Sequence, residues 1–92
     1  MAVQYLEGQY LADRLEDGAL GSVEGWAGGS VWVKPSLVED VARFLRDDPE
    51  LDFQFLNSIS AVDFIEHFEV VYHLTSLRRQ HAAVVKARGY GR

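Results

Sequence analysis

Apolar and polar residues alternate from Phe68 to Thr75. Phe68, Val70, Tyr72 and Leu74 form one set, and Glu69, Val71, His73 and Thr75 the other. A period of two predicts a strand over Phe68–Ser76 with the first set on a core. Ser58–Phe64 and His81–Ala87 read as strands on either side, joined through Ile65-Glu66-His67 and Leu77–Gln80. Three strands with short connections predict an antiparallel meander. Upstream the period changes. Leu6, Tyr10, Leu11 and Leu15 repeat at helical spacing, so residues 3–16 read as a helix. Gly8 weakens it, and Asp17-Gly18 ends it with Gly18 as a left-handed cap. Val23–Trp26 and Ser30–Lys34 read as short strands around the turn Ala27-Gly28-Gly29. A second helix is predicted over Ser36–Asp48 with the stripe Leu37, Val41, Phe44 and Leu45. Ser36 and Glu39 fit a capping box, Glu39 and Arg43 form an i,i+4 pair, and Pro49 stops the helix. Asp47-Asp48 falls at its negative end, where the dipole disfavours acid. The ending Gly89–Arg92 is expected to fray.

These elements predict an α+β fold: two helices on a mainly antiparallel sheet with a C-terminal three-stranded meander. No repeat or linker divides the chain, so its 92 residues read as one domain. Hydrophobic residues at 48% and charged residues at 25% fit a folded protein.

The net charge of −5 argues against non-specific binding to nucleic acid or an anionic membrane. The charge is uneven. Arg78, Arg79, Lys86, Arg88 and Arg92 crowd positions 78–92, whereas positions 1–66 are acidic. A partner presenting both signs of charge would suit this distribution. The basic turn Arg78-Arg79 with His81 is the candidate partner contact. No cysteine is present, which removes disulfides, thiol catalysis and cysteine-held metal clusters. No apolar run approaches the roughly 20 residues that span a bilayer, and no secretory or transit leader is evident.

Little else points to chemistry. His67, His73 and His81 lack paired ligand spacing. No GxSxG, GxGxxG or phosphate loop occurs. Asp63 either pairs with Arg78 or Arg79 across the meander or caps the hairpin. A small enzyme would require Asp63, His73 and His81 to converge. Trp26, Trp32, Phe53 and Phe55 are expected in the core.

The letters are more specific than the periods. The stretches KPSLVEDVARFLRDDPELDFQFLNSISAVDF, FEVVYHLTSLRRQH and VVK occur in order between Lys34 and Lys86. This segment resembles the N-terminal part of the C-type subunit of the proton-translocating NADH:quinone oxidoreductase, respiratory complex I. The resemblance implies a non-catalytic structural and assembly role in the peripheral arm. It implies contact with other arm subunits, above all the D-type subunit. It also implies a peripheral position on the cytoplasmic side of the bacterial membrane, with membrane contact only through the complex. No NADH, flavin, quinone or cluster ligand is implied in this chain, and no metal or cofactor. Family members continue past the VK strand into an acidic–aromatic and a HPDLRRIL-like signature, which this sequence does not contain. It therefore reads as truncated, a split half, or a stand-alone interaction module. On that reading the His81–Ala87 strand becomes an uncovered sheet edge.

Overall fold

The structure, a computed structural model, describes residues 3–90; the side chains of Phe55 and Tyr90 are outside the described set, as are Gly91 and Arg92. The elements run β1 (Gln4–Tyr5), α1 (Gly8–Gly18), β2 (Val23–Ala27), β3 (Ser30–Val33), α2 (Val38–Asp47), β4 (Phe55–Asp63), β5 (His67–Ser76) and β6 (His81–Tyr90). A 3-10 turn, Pro35–Leu37, leads into α2. The sheet order is β2-β3-β6-β5-β4, with β1 also on β6. The predicted meander β4-β5-β6 is present and antiparallel. Both helices are present with shifted bounds, and the α+β class is as the periods predict.

The sheet has a mixed centre. β3 and β1 lie parallel to β6, along its C-terminal and N-terminal parts respectively. β6 is therefore an interior strand, not the uncovered edge expected for His81–Ala87. It also runs on to Tyr90, so Gly89 and Tyr90 are paired, not frayed. Parallel neighbours on one side and an antiparallel neighbour on the other bury Ala83, Val85 and Ala87. Small and β-branched residues suit that crowded position.

α1 starts later than its apolar period suggests. Residues 4–5 go to β1, where the Leu6 amide donates to the Ala82 carbonyl at 2.8 Å. Leu11, Ala12 and Leu15 are buried, whereas Tyr10 faces out. Gly8 is helical, and a side chain there would overlap the Ser30 carbonyl oxygen. Gly18 is not the left-handed residue. Its missing side chain makes room for the Phe44 ring, and the positive φ falls on Gly21, at 81°.

In α2, Val41 and Leu45 are buried and Val38 and Phe44 pack beside them. The Ser36–Glu39 capping box does not form, because Pro35 starts a 3-10 turn closed by the Leu37 amide on Lys34. Glu39 and Arg43 do pair, at 3.3 Å. On β5, Tyr72 and Leu74 pack on the core, but Phe68 and Val70 are only half-buried. Val71, on the opposite face, is buried. Helices cover one end of the meander's core face, and long side chains of β5 and β6 cover the other face.

Candidate functional site

The basic turn closes onto the segment that leaves α2. β5 ends at buried Ser76, whose Oγ accepts the Arg79 amide at 3.1 Å. Gln80 takes a left-handed φ of 55° and reverses the chain. Arg79 then donates from Nε and Nη2 to the Pro49 carbonyl, at 3.0 and 2.7 Å. His81 Nε2 lies 2.6 Å from the Leu51 carbonyl, and its ring stands 4.8 Å from that of Phe53. A carbonyl can only accept, so Nε2 carries the proton. Arg78 Nε lies 3.4 Å from Asp52 Oδ2. The three expected partner residues therefore meet at positions 49–53. Arg78 is the most open of them, its side chain 81% exposed, so its ion pair contributes at most about 1 kcal/mol.

The same segment explains Asp47-Asp48. Asp47 pairs with Arg46 at 2.9 Å. Asp48 ends α2, accepts the Glu50 amide on Oδ1 at 2.9 Å and pairs with Arg14 of α1. Arg14 also reaches Glu50 at 2.9 Å. The acid thus caps a turn and anchors α1, which outweighs its unfavourable place in the helix dipole. Asp52 is buried at a left-handed φ of 47° and accepts from Gln54 Nε2 at 2.6 Å on Oδ1. Its Oδ2 makes no hydrogen bond, although the Arg78 charge is near.

A second polar cluster stands on the sheet face opposite the helices. The register aligns Trp32 with Lys86, and Glu69 with Arg88. Glu69 Oε2 accepts from Trp32 Nε1 at 3.1 Å and Arg88 Nε at 3.2 Å. Lys86 Nζ and Arg88 Cζ lie 4.9 and 5.1 Å from the Trp32 ring centre, within cation–π range. His67 Nε2 is 3.9 Å from Glu69. Trp32 is thus not in the core as expected, and neither is Trp26, which is exposed. Only Phe53 of the described aromatics expected there is buried among the core residues. The alternation of Val31, Trp32 and Val33 is the signal that Trp32 points the other way. Its partners cannot be found without the strand register.

Both clusters hold a carboxylate below the usual range. For Glu69, burial opposes ionisation but is outweighed by the Trp32 and Arg88 hydrogen bonds and the nearby Lys86 charge. For Asp48, burial is outweighed by the Glu50 amide and Arg14. A depressed folded pKa stabilises the fold above the unfolded pKa, and that contribution is lost as pH falls through the folded value. Urea midpoints are therefore expected to hold from neutral pH to about 5 and to drop below about 4. Glu69→Gln should be less stable at neutral pH and show a shallower acid decline. An unchanged acid decline would count against this assignment.

Asp63, His73 and His81 do not converge. They align with Phe68, Val84 and Ser76, so β5 spaces them along its length, and Asp63 lies at the end of β5 remote from Arg78 and Arg79. His81 shares the face of Leu74, and His73 the opposite one. No group of three metal-ligating side chains occurs among the described residues. An apolar groove of about 360 Å³ runs between α2 and the meander, over Val41, Leu45, Phe53, Leu56 and Tyr72.

These features define a small α+β scaffold whose polar side chains mostly clamp its own segments. The family model for the respiratory-chain NADH dehydrogenase 30 Kd subunit matches residues 31–90, and the chain belongs to that family. It is 48% identical over 75 residues to the C-type subunit of NADH-quinone oxidoreductase from Roseiflexus sp. (strain RS-1), covering 78% of this chain and 43% of that protein. The C-type subunit of Parvibaculum lavamentivorans is 34% identical over 84 residues, covering 88% of this chain and 42% of the relative. The C-type subunit of Maricaulis maris is 37% identical over 83 residues, covering 83% and 42%. The chain spans less than half the length of these curated relatives. No helix among the described residues is long and apolar enough to cross a membrane.

Proposed function

We propose that this chain acts, as one domain, as a non-catalytic structural and assembly element of the peripheral arm of NADH:quinone oxidoreductase. It contributes to electron transfer from NADH to quinone, coupled to proton translocation, by holding neighbours in place. The family match over residues 31–90 carries this reading. The matched region spans β3, α2, the 49–53 segment and the meander, which are the parts that the clamps fix together. The partners proposed are other arm subunits, chiefly the D-type subunit, on the cytoplasmic side of the membrane.

Arg78, Arg79 and His81 are the proposed contact. Arg79 and His81 are spent partly on Pro49 and Leu51, so they shape the surface, while exposed Arg78 and Leu77 present it. Tagged chain recovered from gently solubilised membranes should carry the D-type subunit and other arm proteins, identified by mass spectrometry. Arg78→Glu should keep the circular dichroism of the parent and lower that recovery about tenfold, the size of a single interfacial charge effect. Recovery of the chain without respiratory subunits would overturn the reading in favour of a stand-alone module. Full recovery with Arg78→Glu would overturn the contact alone.

A further inference from the structure

The two arginines of the basic turn are used differently. Arg79 gives Nε and Nη2 to the Pro49 carbonyl, a neutral acceptor. The Arg78 side chain makes no hydrogen bond among the described residues, and its ion pair with Asp52 is its one polar contact there. That contact falls on Nε, so both Nη groups stay open on a side chain that is largely exposed. Asp52 is the reverse case. It is 8% exposed, and Gln54 Nε2 fixes its Oδ1 at 2.6 Å. Its Oδ2 is buried without a hydrogen bond, 3.4 Å from Arg78 Nε. Leaving a buried acceptor unanswered is costly. Asp48 and Glu50, the other carboxylates of this segment, are turned to Arg14. Among the described residues Asp52 is therefore the one carboxylate paired with the two guanidiniums of the turn, which leaves the turn short of one counter-charge.

We propose that Asp52 is the positioning residue of the basic turn, and that it readies Arg78 for a carboxylate on the partner protein. This deepens the contact proposed above and rests on it. Asp52 holds the Nε side of the guanidinium from beneath. The Nη edge then faces outward as a planar fork, which matches the two oxygens of an aspartate or glutamate. The backbone under Arg78 is held as well, by the Ser76 hydroxyl on the Arg79 amide and by the left-handed Gln80. Less side-chain freedom is then lost on docking. Exposed Leu77, on the same turn, supplies the apolar contact that dries the site. As water leaves, the attraction between Arg78 and Asp52 strengthens, and the unanswered Oδ2 gains its donor. The partner segment thus carries an acidic residue beside apolar surface.

Two variants and a cross-link test this. Arg78→Lys keeps the charge and loses the fork. It should lower recovery of arm subunits from solubilised membranes about fivefold, the size of one hydrogen bond, at unchanged melting temperature. In Asp52→Asn, Gln54 holds the amide oxygen in the place of Oδ1, which sets the amide nitrogen against Arg78. Asparagine accepts a left-handed φ, so the fold should be kept. Recovery should again fall about fivefold, and the Arg78 Nε–H resonance of the free chain should shift. Carbodiimide coupling in membranes carrying Arg78→Lys should join the introduced amine to an aspartate or glutamate of an arm subunit, located by mass spectrometry. Parental recovery with either variant would overturn the inference and leave the assembly reading standing. So would an Arg78 resonance indifferent to Asp52→Asn, or a cross-link confined to Asp52 of the same chain. A parent chain that recovers no arm subunit would remove both.

Discussion

Leu45→Ala is expected to remove about 2–5 kcal/mol of folding stability, the range for deleting a fully buried leucine. Leu45 is 1% exposed and lies at the floor of the groove between α2 and the meander. Its backbone is fixed as well, because its carbonyl accepts the Phe53 amide at 3.0 Å. The surroundings therefore cannot collapse easily into the vacated space, which places the expected loss in the upper half of that range. A chain of this size has on the order of 5–15 kcal/mol in total. Each kcal/mol corresponds to about 4–8 °C of melting temperature at this length. Thermal unfolding should thus show a fall of about 10 °C or more, on the order given by that slope. Leu56→Ala, on the half-exposed rim of the same groove, should cost less than about 1 kcal/mol. If the two variants melt together, the core does not lie where the structure puts it.

The contrast between Leu45 and Leu56 is visible in the sequence only in part. Leu45 belongs to a stripe at helical spacing, and local period places it on the buried face of α2. The alternation of β5 is legible for the same reason, as is the meander, whose strands are joined by short connections. Relations between distant segments are not legible. Nothing in His81–Ala87 announces that β3 and β1 lie parallel to it, so β6 reads as an edge when it is interior. The true edge, β4, looks like an ordinary inner strand because it lacks the charges that usually mark an edge. Ser36 and Glu39 have the letters of a capping box, but Pro35 sets a 3-10 turn first.

The candidate sites divide in the same way. Arg78, Arg79 and His81 stand out as a cluster of positive letters, and the structure brings them to one segment. Their targets, the Pro49 and Leu51 carbonyls, are backbone atoms that carry no sequence signature. The Trp32, Glu69, Lys86 and Arg88 cluster draws on three strands and exists only once the register is known. Aromatic residues in a short strand suggest core packing. Val31 and Val33 occupy the core face, which leaves Trp32 to face the charges.

Gly8→Ala tests the closest approach of backbone atoms to a glycine among the described residues, and here two effects oppose each other. Alanine is favoured over glycine within a helix by about 1 kcal/mol. Gly8 is the first residue of α1, where that preference is felt least, since its amide is engaged outside the helix, on the Gly28 carbonyl at 2.7 Å. Against the gain stands a steric conflict. A Cβ would overlap the Ser30 carbonyl oxygen and lie 3.0 Å from that of Gly28. Both are backbone atoms of the β2–β3 hairpin, so no side-chain rotation relieves the overlap. Either α1 moves off the hairpin or the hairpin bends, and overpacking of this kind costs about 1–3 kcal/mol. Gly8→Ala should therefore destabilise the chain by about 1–3 kcal/mol in urea unfolding. Hydrogen exchange should locate the damage. The Gly8 amide, and the Leu6 amide bound to Ala82, should lose protection first, because β1 and the start of α1 are held to the sheet through them. A more stable Gly8→Ala variant would mean that helix propensity wins and that α1 does not press against the hairpin as closely as the Ser30 contact requires.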